Sequence, residues 1–108
     1  MKISIYDNQS GYFEFIKENL SDKYQLEHIN HNNFSEKGVE TSNALLFFLS
    51  DELEMIDFVK LKQPETYTIL CSPQNNHLAK EDNGSNPVHV DINLKKEELV
   101  NSIVNLLP

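Results

Sequence analysis

The sequence predicts a three-layer α/β domain, a parallel sheet of five strands between two layers of helices. Three observations predict it. Apolar runs and amphipathic segments alternate five times along the chain, the most apolar run (residues 44–49, Ala-Leu-Leu-Phe-Phe-Leu) lies near its middle, and most of the connecting stretches are short. A strand buried on both faces needs an unbroken apolar run, and a helix between two such strands must carry the chain back across a sheet face in a right-handed crossover, which leaves the strands parallel. At 108 residues the chain suits one core, because a domain of this size buries roughly two-thirds of its unfolded surface and two cores could not share so little material. No repeat, linker or compositional break divides it, so residues 1–108 are expected to form a single domain.

The elements follow in order. Residues 2–6 are short and apolar and stop at Asp7-Asn8-Gln9-Ser10-Gly11, which reads as a buried first strand and a turn into a helix. Tyr12, Phe13, Phe15, Ile16 and Leu20 recur at three- and four-residue spacing and define that helix. Tyr24, Leu26 and Ile29 alternate with polar neighbours, as in a strand at a sheet edge. Residues 31–42 are mostly polar and hold one helical turn at most, around Phe34. Residues 44–49 form the central strand. Asp51 and Glu54 then stand at capping-box spacing, and Leu53, Ile56 and Val59, with Met55 and Phe58, are expected as the buried stripe of the next helix, which ends at Pro64. Residues 67–71 make a fourth strand. Residues 72–87, with only Leu78 and Ala79 apolar before Pro87, make a long loop or a very short helix. Val88, Val90 and Ile92 alternate as a fifth strand, and Leu94, Leu99, Val100, Ile103, Val104 and Leu107 give a last helix.

Composition excludes several classes of function. A formal charge of −8 repels a phosphate backbone, and the nine basic residues are all lysines, without the arginine that grips phosphate or guanine in a bidentate way. Nucleic acid is therefore not the expected partner. Residues 44–49 are too short to span a bilayer, and Asp7 interrupts what would have to be an apolar leader, so no membrane association is expected and a cytoplasmic location is. The single cysteine, Cys71, sits in an apolar run and is expected as a small core residue.

In an open parallel sheet, binding chemistry gathers at the carboxyl ends of the strands. The residues there are Asp7, Asn8 and Gln9, then residues 48–52, Ser72, and residues 92–94. The opening Lys2-Ile3-Ser4-Ile5-Tyr6-Asp7-Asn8-Gln9 is similar to the first strand and acidic turn of response-regulator receiver domains of the CheY-like superfamily, and Asn93-Leu94-Lys95-Lys96-Glu97-Glu98-Leu99 resembles the entrance to their closing helix. The resemblance runs over nearly the whole chain. It implies a flavodoxin-like (CheY-like) sandwich with strand order 2-1-3-4-5, here with reduced second and fourth helices.

It also implies a site. A working receiver holds magnesium with two acids after strand one and an aspartate ending strand three, which accepts the phosphoryl group, while a hydroxyl after strand four and a lysine after strand five read the phosphate. Mapped onto this sequence, Asp7 keeps the first acid, Asn8 replaces the second, Phe48 stands at the acceptor, Ser72 keeps the hydroxyl and Ile92 replaces the lysine. Losing one negative charge lowers affinity for a hard dication, and a phenyl ring has no oxygen to phosphorylate. Asp51 would approach the site only if the third strand ran longer; its capping position is the better account. The resemblance thus implies a pseudo-receiver, a non-enzymatic protein-interaction module of bacterial signalling with no metal or cofactor, a protein partner and self-association as one option. The last helix and the neighbouring fourth strand are the surfaces expected to dock.

The other constellations weigh less. His28, His31, His77 and His89 carry no zinc-ligand spacing and are expected as solvated side chains. No serine has a histidine at a recognisable motif spacing, and no pair of acids stands out for proton transfer. The alternative function is a small flavodoxin-like cofactor-binding or phosphotransfer protein, in which Asp7, Ser10 and Ser72 would contact the ligand.

Overall fold

A computed structural model of the chain describes residues 2–9, 11–33, 42–61, 66–72, 88–93 and 95–107. Five strands appear there, β1 (Lys2–Tyr6), β2 (Gln25–Ile29), β3 (Ala44–Phe48), β4 (Tyr67–Ser72) and β5 (Val88–Asp91), with helices α1 (Gly11–Leu20), α2 (Glu54–Leu61) and α3 (Lys96–Leu106). All four strand pairings are parallel, in the order β2-β1-β3-β4-β5. This is the expected topology, with β3 at the centre and β2 at an edge. The expected reduced second helix around Phe34 and the short segment around Leu78 and Ala79 lie outside the described residues, as do Ser10, His77 and Leu94. Among the described residues no helix is long and apolar enough to cross a membrane.

Strand alternation divides the core into two layers. Ile3, Ile5, Ala44, Leu46, Phe48, Ile69, Cys71 and Val90 face one way and pack with Ile16 and Leu20 of α1 and Leu99 and Ile103 of α3. Tyr6, Leu45, Phe47, Leu49 and Leu70 face the other way and pack with Phe58 and Leu61 of α2. Every residue of β3 is buried, which is why its sequence has no polar alternate positions. Cys71 is fully buried, and that burial pushes its thiol well above the ordinary value. The folded protein should therefore leave Cys71 unmodified by iodoacetamide and react only on unfolding; mass spectrometry showing native labelling at the rate of a free thiol would contradict the packing.

One expectation about α2 is corrected. Leu53, Ile56 and Val59 do not form its buried stripe: they are 75%, 58% and 69% exposed. Phe58 is buried as expected and Met55 packs beside it, but the face toward the sheet is Glu54, Asp57, Phe58 and Leu61. Both faces have three- to four-residue spacing, so periodicity alone could not choose between them. The choice went to the face whose two acids find donors at the end of β1.

Candidate functional site

The carboxyl end of the sheet carries two separate constellations, one on each face. On the α1 side, the ladder that sets Tyr6 opposite Phe47 brings Asp7 level with Phe48 on the same face. Asp7 is buried, and its carboxylate is used by the backbone: Oδ1 accepts from the Gln9 N–H and Oδ2 from the Phe13 N–H, each at 3.0 Å. It thus fixes the turn and the first residues of α1, whose N–H groups have no partner within the helix. The Asp7 carbonyl can only accept, so the His28 Nε2 at 2.8 Å donates to it, and the His28 ring stacks on Phe13 at 4.5 Å. His28 is therefore held in structure rather than simply solvated.

Phe48 is 3% exposed and stacks on Tyr12, with ring centroids 4.5 Å apart. Burial, with the nearby charge of Asp7, raises the Tyr12 hydroxyl above its ordinary value. Ile92 packs against the same core layer, and its N–H donates to the Ser72 carbonyl at 3.2 Å. Ile92 also borders a cavity of about 400 Å³ with Tyr12, Phe15 and Lys96, and the Lys96 ammonium lies 5.6 Å from the Phe15 ring centroid.

Ser72 points to the opposite face, with Leu70, and so is not brought beside Asp7 and Phe48. It is buried, and its hydroxyl lies 2.8 Å from the His89 Nε2 on the neighbouring strand. The same nitrogen is 3.2 Å from the Ser72 carbonyl, so it carries the proton and is shared between the two oxygens. A serine–histidine pair with no motif spacing therefore arises from strand adjacency. Its histidine is committed as a donor, which is the wrong state for activating a nucleophile.

The second constellation was not anticipated. Tyr6, fully buried at the end of β1, donates its hydroxyl proton to Asp57 Oδ2, and the His31 Nδ1 lies 2.8 Å from that same oxygen. The Asn8 amide donates to the Tyr6 oxygen at 3.1 Å and to Glu54 Oε2, while its own Oδ1 accepts from the His31 N–H at 2.8 Å. Glu54 Oε1 gathers the Ser50 N–H, the Ser50 hydroxyl and the Asp51 N–H at 2.8–3.0 Å. Asp51 in turn accepts the Leu53 N–H on Oδ1 at 3.0 Å, so Asp51 and Glu54 form the expected reciprocal cap. Burial and the bond to Asp57 push the Tyr6 hydroxyl far up. For Asp57, burial acts upward, but the hydrogen bonds from Tyr6 and His31 and the His31 charge outweigh it and hold the carboxyl below its ordinary value. These residues, with Leu53 and Ile56, line a cavity of about 570 Å³.

The available signal for this network was Tyr6 itself: a tyrosine in a fully buried strand needs a partner for its hydroxyl. Glu54 and Asp57, three residues apart, could have supplied one. Nothing local pointed to His31, whose position follows from the parallel pairing of β2 with β1.

No family model matches the sequence, and no curated protein matches it. Solved structures do. A CheY-like protein (tadZ) from Pseudomonas aeruginosa PAO1 superposes with a TM-score of 0.65 at 10% identity, over 99% of this chain and 99% of that one. A protein assigned to pilus assembly, CpaE2 from Sinorhizobium meliloti 1021, superposes with a TM-score of 0.64 at 13% identity, over 99% of this chain and 100% of that one. At such identities the likeness speaks for the fold alone, and with the strand order and parallel pairing it establishes that this chain has the receiver-like, CheY-like fold.

Proposed function

We propose that this domain is a non-enzymatic pseudo-receiver, a protein-interaction module in bacterial signalling or assembly that does not run an aspartyl-phosphate cycle. The observation that carries the reading is Phe48: level with Asp7 at the end of the central strand, it gives the core an aromatic ring where an acceptor carboxylate would have to stand. Three further features support it. Asp7 already spends both oxygens on backbone N–H groups, Asn8 is held by Tyr6, Glu54 and His31, and Ile92 offers no charge to a phosphate. One carboxylate so engaged does not fit a hard dication that prefers several oxygens in near-ideal geometry, so magnesium is given no part in the mechanism.

The domain acts, on this reading, by presenting surfaces to a protein partner in the cytoplasm. The pilus-assembly assignment of one structural neighbour suggests a setting within a larger bacterial assembly. The test is incubation with magnesium and acetyl phosphate followed by intact-mass measurement. The expected spectrum shows the unmodified chain alone; a stable phosphoryl adduct mapped to Asp7 or Asp51 would overturn the proposal.

A further inference from the structure

The exposed face of α2 carries apolar side chains that the core does not bury, although Leu53, Ile56 and Lys60 also border the cavity beside Tyr6 and Asp57. Leu53, Ile56 and Val59 stand three residues apart, so they form one ridge along the helix and the turn that leads into it, and all three are more than half exposed. They are the large hydrophobic residues that the described surface leaves exposed. The outward positions of α3, by contrast, are Lys96, Glu97, Glu98, Asn101 and Asn105, all polar.

The charges around the ridge are ordered. Exposed Asp51 and Glu52 lie at its beginning and exposed Lys60 at its end. Numbering about Ile56 shows what this order fits: Leu53 and Val59 are three residues to either side, and Glu52 and Lys60 four. Two copies of the ridge laid antiparallel across a two-fold axis at Ile56 would stack Ile56 on Ile56 and each Leu53 on the other copy's Val59. The same axis would set each Glu52 beside the other copy's Lys60, and the two helix dipoles would oppose. A two-fold interface must be self-complementary in this way, with every contact made twice.

The geometry points to the α2 ridge as a homodimer interface, with a second copy of this chain as its occupant. The inference does not rest on the loss of phosphotransfer. An acetyl phosphate adduct would leave it standing, and a strictly monomeric chain would leave the pseudo-receiver reading standing. Three apolar side chains and a charged rim make a small contact, below the roughly 800 Å² per partner of standard interfaces, so association in the micromolar range or weaker is expected.

The test is sedimentation velocity across a concentration series, with circular dichroism to confirm that each variant is folded, as it should be when the changed side chains are exposed. Wild type is expected to move from monomer to dimer as concentration rises, and Ile56→Glu to stay monomeric. Glu52→Lys and Lys60→Glu alone should each weaken dimerisation about tenfold, since the two-fold axis repeats the like-charge contact. Combined, the two reversals should restore the wild-type constant to within about threefold, because the pairing is only exchanged. A monomer at every concentration, a dimer indifferent to Ile56→Glu, or single reversals that the double variant does not rescue would overturn the assignment.

Discussion

Replacing Phe48 by aspartate, the change that would restore an acceptor at the family position, is expected to unfold the domain rather than activate it. Removing a buried phenylalanine side chain costs about 3–5 kcal/mol, and Phe48 also loses its stack on Tyr12. The new carboxylate would stand level with Asp7, whose own charge is nearby, and would need donors that Asp7 already holds. Against a total stability of about 5–15 kcal/mol, the sum should leave most molecules unfolded at room temperature, seen as loss of the cooperative transition in circular dichroism. Asp51→Ala serves as the control. It removes an exposed cap and should cost only about 1 kcal/mol. A Phe48→Asp variant that melts near the wild-type temperature would mean the pocket can house an acceptor, and the pseudo-receiver reading would lose its main support.

Asp57→Ala is expected to have the second largest effect. Asp57 is 3% exposed and accepts the buried Tyr6 hydroxyl together with the His31 ring. The His31 bond contributes little, because that side chain is mostly exposed and the pair is screened by solvent. The Tyr6 bond matters more: taking away the carboxylate that accepts a buried hydroxyl costs about 1–3 kcal/mol. For a domain of this size each kcal/mol lowers Tm by about 4–8 °C. Adding Tyr6→Phe to Asp57→Ala should cost little more, since a phenyl ring asks for no acceptor, and the two losses should be clearly less than additive. Additive losses, or an unchanged Tm for Asp57→Ala, would show that the Tyr6–Asp57 bond does not hold α2 to the sheet.

The pH dependence has a definite sign. Asp57 is held below its ordinary carboxyl value of 3.8 in the folded state, so the unfolded chain takes up its proton first as pH falls. Its contribution is complete above that ordinary value and is lost as pH drops through the lowered one. The stability gap between wild type and Asp57→Ala should therefore be constant through neutral and mildly acidic pH and narrow only below the ordinary carboxylate range. A gap that closed between pH 5 and 7 would place the titration elsewhere.

Much of this molecule could be read from order and period alone. The unbroken run at residues 44–49 reads as a strand covered on both faces, and the flanking alternation of strands and helices leaves the strands parallel, with helices on both sides of the sheet. Asp51 and Glu54 announced their cap by spacing, because a cap is a contact within one turn of chain. Cys71 announced its burial by its neighbours. Other features were decided by contacts between distant parts of the chain. Which ridge of α2 turned inward depended on Tyr6, fifty-one residues before Asp57 in sequence, and its need for a carboxylate; this is what left Leu53, Ile56 and Val59 outside. Ser72 met His89 and Asp7 met His28 through strand adjacency, which no local pattern encodes. Sequence by itself determined the layers, since burial period is a local property, and the strand order followed from the resemblance of its opening strand and closing helix to receiver domains. Tertiary structure decided which polar groups share a hydrogen bond, since that requires two strands to be in register first.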